Sequence, residues 1–577
     1  MFFNYSIKGE FSYHLDHTDY YYEDDRFLFI GDFVLPKSKH LEVDKRVKNA
    51  LYSDGLANPD TIFLGGFFIL KYDKFLNKID LYRDQSGIKT GYYSYNNGTL
   101  SVSSLIHKLR FSSKGLNTLG VDMLNRFDYL FDGYTIYDEI NEVPIGNSLN
   151  FDDKLQFSVT KSFKIELATE DNNLLLEENI NRLRELTNQV HDQLAGTDNL
   201  VYLSGGIDSC VMLGALHDVC KPSEVRSVSF RVKGTDFDET FYAKRMADHL
   251  GIDLEIKESD PSKIITLDEF ENVILGMNNP YPGYWIFKPE PSTETVCFAG
   301  QDTRLHTPDI NTFDQWVFSR FMNNGKVPFS NLLIHTIGAF HKLLSLNKSD
   351  LKPLRYADRL AAGLDPLCYV NDFILKMKGN PVADHIYEND NIIAREFDID
   401  YSRIKNKRQL YNEIVKVKWR QQYTDDIRYL QDMARMNNAI IAMPFYDYKL
   451  AQFSSSIPFH WATKYVSGSD KFSEEPVKVN KFVLREAYKD KLPESVLYRK
   501  KAVSPTLALF FNGPLGSVVR KVVEQDLKES SSFIKNFGYT TFAHKYLSRT
   551  VWQVRDQEFL NKVYYMAALC VYHKNCF

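Results

Sequence analysis

Short apolar runs separated by turn residues dominate the first 165 positions of the chain. Phe27-Leu28-Phe29-Ile30 and Phe63-Leu64-Gly65-Gly66-Phe67-Phe68-Ile69-Leu70 have the length and character of buried strands. Tyr92-Tyr93-Ser94-Tyr95 and Thr99-Leu100-Ser101-Val102 flank Asn96-Asn97-Gly98, which predicts a hairpin, because Asn-Gly accepts the positive φ angles of a tight turn. Helices are predicted over 43–51 and 121–131. The texture changes after Ser162-Phe163-Lys164. Leu176, Ile180, Leu183, Leu186, Val190 and Leu194 recur at helical spacing. Beyond them the pattern alternates: strand 200–203, helix 210–219, strand 225–232, helix 238–250, strand 254–257. That series predicts a parallel sheet covered by helices. Patterns over 306–432 and in the last third are mainly helical, and neither an internal repeat nor a low-complexity linker interrupts them.

A chain of 577 residues exceeds one core, so two or more domains are expected. With 44% hydrophobic and 25% charged residues and a formal net charge of −5, it carries no field suited to nucleic acid or membrane. Its 35 Tyr and 41 Phe read as an aromatic core. No apolar run reaches bilayer length, and Met1-Phe2-Phe3-Asn4-Tyr5-Ser6 has no signal-peptide character. The six cysteines have no metal-type spacing, which fits a reducing compartment. A cytoplasmic protein is expected.

The chemistry concentrates in one loop. Leu200-Val201-Tyr202-Leu203 runs into Ser204-Gly205-Gly206-Ile207-Asp208-Ser209 and then a helix. Two glycines allow a tight turn and bring backbone N–H groups close to an oxyanion. The helix start adds its dipole and unpaired donors. The Ser204 and Ser209 hydroxyls are candidate phosphate donors. Asp208, an acid beside a phosphate loop, makes sense with Mg²⁺ between the two. The alternative is a serine–glycine turn that only caps a helix. Downstream, Ser229 and Phe230 end the next strand and should flank the same crevice. Asp238 and Glu239 either line that crevice or cap the following helix.

This loop resembles the PP-loop of the ATP-pyrophosphatases, not the Walker loop. Further motifs extend the likeness. Arg83-Asp84-Gln85-Ser86-Gly87 followed by Tyr92-Tyr93, the Pro144-Ile145-Gly146 turn, Pro444-Phe445-Tyr446-Asp447, Lys481-Phe482-Val483-Leu484-Arg485 and Arg499-Lys500-Lys501 occur in this order. Together they make the chain resemble the asparagine synthetase family, which includes β-lactam synthetases and lasso-peptide cyclases. The likeness spans most of the chain outside about 306–420. It implies an α/β protein with an N-terminal Ntn-hydrolase-like αββα sandwich over 1–165. Over 166–577 it implies a PP-loop (adenine nucleotide α-hydrolase-like) parallel sheet with helical additions and a helical insertion at about 306–432. It also implies ATP and Mg²⁺, nucleotide contacts from Leu203, Ser204, Gly205, Gly206, Asp208, Ser209, Ser229, Phe230, Gly300 and Arg304, and charge stabilisation by Lys501, with Lys481 as a second phosphate candidate.

The chain also departs from that family. Glutamine-dependent members carry a cysteine nucleophile after the initiator methionine; here Phe2 stands there, and no cysteine precedes Cys210. Phe29-Ile30-Gly31-Asp32 replaces the glutamine-binding Asn-Gly-Glu segment. After Val296-Cys297-Phe298, the family's Ser-Gly-Glu-Gly-Ser-Asp becomes Ala299-Gly300-Gln301-Asp302-Thr303-Arg304. Read without a gap, Gln301 takes the place of a catalytic Glu or Tyr, and Arg304 that of a metal-binding Asp. A two-residue slip makes Asp302 the metal ligand beside Asp208 and leaves Arg304 for an anion. Ala442 replaces the arginine that precedes the Pro-Phe-Leu-Asp motif.

The expected activity is ATP-dependent amide-bond formation through an acyl-adenylate, with an amine rather than glutamine as nitrogen source. An intramolecular cyclase or amide synthetase of natural-product biosynthesis fits, acting on a small molecule or peptide that carries a carboxylate and an amine. Ammonia-dependent, asparagine-type amidation and a non-catalytic nucleotide-binding or scaffold role are the alternatives. A homodimer or a pathway partner protein stays open as the assembly.

Overall fold

The structure is a computed structural model of the chain. It describes residues 1–300, 406–499 and 506–576, apart from 37–38, 54–55, 57–58, 60–62, 64, 111–112, 163–165, 236–238, 420–423 and 467–476. Most of the 306–432 insertion therefore lies outside the described residues; the stretches of it that are described are helical, Lys407–Lys418 and Thr424–Met436.

The N-terminal strands form two antiparallel sheets. The first contains β1 (Phe2–Ser6), β2 (Phe11–His14), β7 (Tyr92–Asn96), β8 (Thr99–Ser103) and β9 (Ile140–Glu142), in the order β2-β1-β8-β7-β9. The second contains β3 (Asp19–Glu23), β4 (Phe27–Phe33), β5 (Phe67–Asp73), β6 (Lys78–Arg83), β10 (Asn147–Phe151) and β11 (Phe157–Ser162), in the order β11-β10-β6-β5-β4-β3. Strand side chains alternate between faces. Phe3 and Tyr5 meet Leu28, Ile30, Leu70 and Leu81 in the layer between the sheets. The opposite face of the second sheet, with Phe29, Phe33, Phe67 and Ile69, is covered by Val43, Val47 and Leu51 of α1 (His40–Ser53). Val121 and Leu124 of α2 (Thr118–Phe127) share a core with Tyr92 and Ile140 of the first sheet. The expected helix–sheet–sheet–helix layering is present.

The predicted hairpin forms as read. Asn96 pairs with Thr99, while Asn97 and Gly98 take φ of 50° and 74°, both positive as the tight hairpin turn demands. The run 63–70 is strand only from Phe67 onward. Gly65 and Gly66 sit at φ of 78° and 105°, outside extended geometry. A Cβ on Gly65 would lie 2.0 Å from Leu194, so the glycines are where the sandwich meets the helix that follows it.

The Arg83–Gly87 segment is a backbone knot. Arg83 is buried and donates to the carbonyls of Lys89 (2.8 Å) and Val143 (2.7 Å). Asp84 accepts from the N–H groups of Phe67, Ser86, Ile88 and Lys89. The motif thereby fixes the loop after β6 against the Pro144-Ile145-Gly146 turn.

The second half is built on α3 (Leu176–Leu194), β12 (Asp198–Tyr202), α4 (Ile207–Val219), β13 (Val225–Val232), α5 (Thr240–Leu250), β14 (Leu254–Ser259), β15 (Thr295–Phe298) and β16 (Ile440–Ala442). Its five strands are all parallel, in the order β14-β13-β12-β15-β16. Helix α4 is apolar on every side, from Cys210 to Leu216, and is buried accordingly.

Helix α6 (Thr424–Met436) joins the halves. One side contributes Ile427, Leu430 and Met433 to the core of the parallel sheet. The other presents charge to the sandwich. Arg428 pairs with Glu142 at 2.7 Å, Arg83 reaches the same carboxylate at 3.2 Å, and Arg435 pairs with Asp32 and, at 3.4 Å, with Asp19. Burial by itself would raise Glu142; Arg428 and Arg83 outweigh it and hold the carboxyl below the usual range. Removing one partner of such a buried group leaves charge unpaired. Glu142→Gln is therefore expected to cost about 3–5 kcal/mol in urea-denaturation stability; a loss below about 1 kcal/mol, the range of exposed pairs, would refute the buried lock.

Asp432 lies on the same helix, fully buried, and accepts from the Asn278 N–H at 3.1 Å. Its other oxygen has no hydrogen-bond partner among the described residues. Burial pushes this carboxyl up to about 7, against the pull of the Asn278 N–H and Arg428. An acid that holds its proton longer folded than unfolded adds stability at low pH, and loses it as pH rises through the folded value. Relative to Asp432→Asn, wild-type stability should fall between about pH 4 and pH 7 and level off above. Parallel denaturation curves for the two proteins would contradict this.

Candidate active site

Two strand ends meet where the parallel sheet reverses its winding. From β12 the chain passes through β13 to β14 on one side, whereas β15 and β16 lie on the other. Such a switch point opens a crevice beyond the carboxyl ends of the central strands. Ser204–Ser209 follows β12 and Gly300 follows β15, so both arrive there. They touch: a Cβ on Gly300 would stand 3.1 Å from the Ser209 nitrogen.

The loop is held mainly by itself. The Ser209 hydroxyl accepts from the Ser204 N–H (3.1 Å), donates to the Gly206 carbonyl (3.0 Å) and meets the Ser204 hydroxyl at 3.1 Å. The two hydroxyls expected to face phosphate thus shape the turn. Gly206 precedes α4 with no side-chain cap, which leaves first-turn N–H groups for an anion. Gly205 has φ of 71°, and a Cβ there would meet Tyr242 at 2.8 Å and the Ala243 nitrogen at 2.9 Å.

Asp208 opens α4 and is gripped by Lys481, whose ammonium lies 2.7 and 2.8 Å from the two carboxylate oxygens. Lys481 precedes α7 (Phe482–Ala487) and sits in the left-handed region at φ 58°, ψ 38°. Non-glycine residues hold that conformation at a cost that surroundings must offset, and such residues cluster at functional sites. Arg485, buried on α7, donates to the Asn480 carbonyl at 2.7 Å and to that of Leu497, bracing the turn that carries Lys481. Burial lowers its guanidinium to about 10, with the Asp208 charge opposing the shift.

Arg499 braces the loop from the other side. It donates to the Gly205 carbonyl at 3.1 Å and pairs with Glu239 at 2.5 Å. Glu239 precedes α5, as a capping position would, yet its carboxylate serves Arg499 rather than the helix. Arg485 and Arg499 were legible only as motif letters; their buried carbonyl contacts leave no trace in the sequence.

Leu203 and Ser229 are buried at this end of the sheet, and the Leu203 N–H donates to the Val228 carbonyl at 2.8 Å. The Phe230 ring packs with Tyr202 and Phe287, at 6.2 and 5.1 Å. Asp447 caps the helix Tyr448–Ser454 by accepting from the Lys449 and Leu450 N–H groups. Gln301, Asp302, Arg304 and Lys501 lie outside the described residues. Burial pushes the Cys210 thiol up to about 12 and that of Cys297 to about 11, which disfavours the reactive thiolate at both.

Donors, dipole and close-packed glycines fit an adenine nucleotide's phosphates. For Mg²⁺ the fit is narrower. Among the described residues no group of three metal-ligating side chains occurs. Mg²⁺ is however commonly held by one or two carboxylates together with phosphate oxygens, and Asp208 supplies one.

Sheet, loop and lysine together make a candidate phosphate site on an α/β fold. The asparagine synthase family model matches residues 182–288 and 351–568, more than half of the chain, and the chain belongs to that family. It is a family of ATP-dependent amidation, of the AMP-forming carbon–nitrogen ligase type, that uses ATP with Mg²⁺. No curated protein matches the chain. Among solved structures, the glutamine phosphoribosylpyrophosphate (PRPP) amidotransferase from B. subtilis complexed with ADP and GMP aligns at 11% identity over 41% of this chain and 47% of its own, with a TM-score of 0.16. The allosteric regulatory enzyme of purine biosynthesis aligns at 11% identity over 43% and 64%, with a TM-score of 0.18. The chain thus spans between about half and two-thirds of these proteins' lengths. Among the described residues no helix is long and apolar enough to cross a membrane.

Gly205→Ala tests the close packing of the loop. Positive φ and the contact with α5 together should cost about 1–3 kcal/mol and weaken ATP binding. A variant that melts like the wild type and binds ATP equally, by calorimetry, would contradict the geometry.

Proposed function

We propose that this protein joins a substrate carboxylate to an amine through an acyl-adenylate, as an intramolecular cyclase or an amide synthetase that does not use glutamine. The observation that carries the reading is the Asp208–Lys481 pair set beside an uncapped helix start and a Gly-Gly turn. The substrate carboxylate attacks the α-phosphorus of ATP, pyrophosphate leaves, and the amine then displaces AMP from the acyl group. In this reading the α4 N–H groups and Lys481 take up charge on the departing pyrophosphate. Mg²⁺, held through Asp208 with Asp302 as a second ligand, would neutralise phosphate oxygens. Lys501 is assigned to the leaving charge, Gln301 to the acyl centre and Arg304 to an anion. The N-terminal unit, about 1–165, serves as a framework for the synthetase unit, 166–577.

Two features support an amine over glutamine. Phe2 stands where a thiol nucleophile would be needed, and it packs against the core shared by the first sheet and the C-terminal helices. Asp32, in the segment that replaces Asn-Gly-Glu, is consumed by Arg435 and by Lys89 at 3.2 Å.

The test is pyrophosphate release with ATP and a panel of amino-acid and peptide carboxylates, with and without ammonium and glutamine. Release that needs an amine-bearing substrate and ignores glutamine is expected; a requirement for ammonium would overturn the cyclase reading. Lys481→Met should slow release by about 10²–10³-fold, the scale of losing one charge-stabilising donor. An unchanged rate would remove Lys481 from the reaction.

A further inference from the structure

We infer that Arg499 is the positioning residue of the nucleotide loop, a tether that sets the Gly205–Gly206 peptide plane without itself binding the ligand. This inference rests on the adenylation reading above and adds a residue to it. A Gly-Gly pair has more backbone freedom than any other dipeptide, yet the direction in which the chain enters α4 decides where its first N–H groups point. Because a peptide unit is planar, a hydrogen bond to the Gly205 carbonyl fixes the orientation of the whole Gly205–Gly206 unit. Arg499 makes that bond through Nε at 3.1 Å.

Two further contacts hold the rest of its side chain. Nη2 is 2.5 Å from Glu239 Oε1, and the guanidinium carbon lies 4.1 Å above the Tyr242 ring. Tyr242 is also the side chain that Gly205 packs on, with a Cβ-to-Cβ approach of 2.8 Å were Gly205 to carry one. The carbonyl, the ring and the carboxylate enclose Arg499, whose side chain is 8% exposed. With its charge matched by Glu239, it is a poor phosphate ligand and a good brace. A planar fork that stacks and donates in two directions is a task lysine cannot perform. Arg499 also stands two residues before Lys501 in the sequence.

The experiment uses the full-length protein. Hydrogen exchange of the bonded amides 204, 206 and 210 is measured without nucleotide, and MgATP affinity by calorimetry, for Arg499→Gln, Arg499→Lys and Glu239→Gln. For Arg499→Gln we expect exchange at 204, 206 and 210 to rise at least tenfold with no change in strand 225–232, and MgATP affinity to fall at least tenfold. Arg499→Lys should recover little of either, and Glu239→Gln should give a smaller shift in the same direction. Unchanged exchange at 204, 206 and 210 overturns the tether, as does an equal rise in 225–232, which would mean general destabilisation. Full recovery by lysine would overturn it as well. Wild-type protein that binds no MgATP, in a protein whose loop still loosens in Arg499→Gln, would instead refute the adenylation reading and leave the tether standing. Should Arg499→Gln not fold, Glu239→Gln decides by the same two measurements.

Discussion

A charge removed from water must find its partner inside the protein, and the whole arrangement of this chain depends on how α6 meets that demand. Arg428 and Arg435 project from one face of the helix into the sandwich, where Glu142, Asp32 and Asp19 receive them. The opposite face is ordinary core against the parallel sheet. Arg83 and Lys89 of the sandwich also reach Glu142 and Asp32, and Arg428 and Arg435 take the same carboxylates from across the boundary. Buried pairs of this kind add little net stability over apolar packing, but they penalise every misaligned arrangement. The sandwich therefore acts on the synthetase half as a template: β16, which directly follows α6, is set beside β15, and β15 leads to Gly300 at the loop.

The same physics explains what sequence reasoning reached and what it missed. The β–α alternation from 200 to 257, the Asn-Gly hairpin and the Ser204–Ser209 loop were legible because periodicity and turn chemistry are local. The strand at 225–232 appears with the predicted bounds. Strands β1 to β3 were not legible, since Phe11–His14 is almost wholly exposed and mixes aromatic with polar residues at a sheet edge. Buried charge was illegible for a different reason. Arg428, Asp432 and Arg435 fall at the spacing of a solvated helix face, and only the fold turns that face inward. Glu239 posed the same problem, because its partner Arg499 is 260 positions away.

At the site, the structure adds duties that the motif letters do not spell out. The serines of the loop are read as phosphate donors, and Ser209 also closes the turn through three contacts with Ser204 and Gly206. Asp84, in the Arg-Asp-x-x-Gly segment, receives four backbone N–H groups and belongs to the architecture of the sandwich. In the proposed reaction, the backbone of α4 and Lys481 would recognise the anion. That division is economical, since backbone donors are oriented by the fold and lose no side-chain entropy when a ligand arrives.

Lys481 concentrates the argument. A glycine would suit its left-handed backbone better, and the braces from Arg485 to the carbonyls of Asn480 and Leu497 hold the turn from which its ammonium reaches Asp208. In the free protein that ammonium neutralises Asp208, and the pair presents little net charge to the crevice. A simple anion would attract Lys481 but leave Asp208 facing negative charge. A bare divalent cation would attract Asp208 and repel Lys481. A polyphosphate bearing a divalent cation would satisfy both at once, so under the proposed adenylation the pair would favour the combination over either component. The Ser204–Ser209 loop would then supply the geometry for phosphate, and the Asp208–Lys481 pair the requirement that the phosphate arrive with its metal.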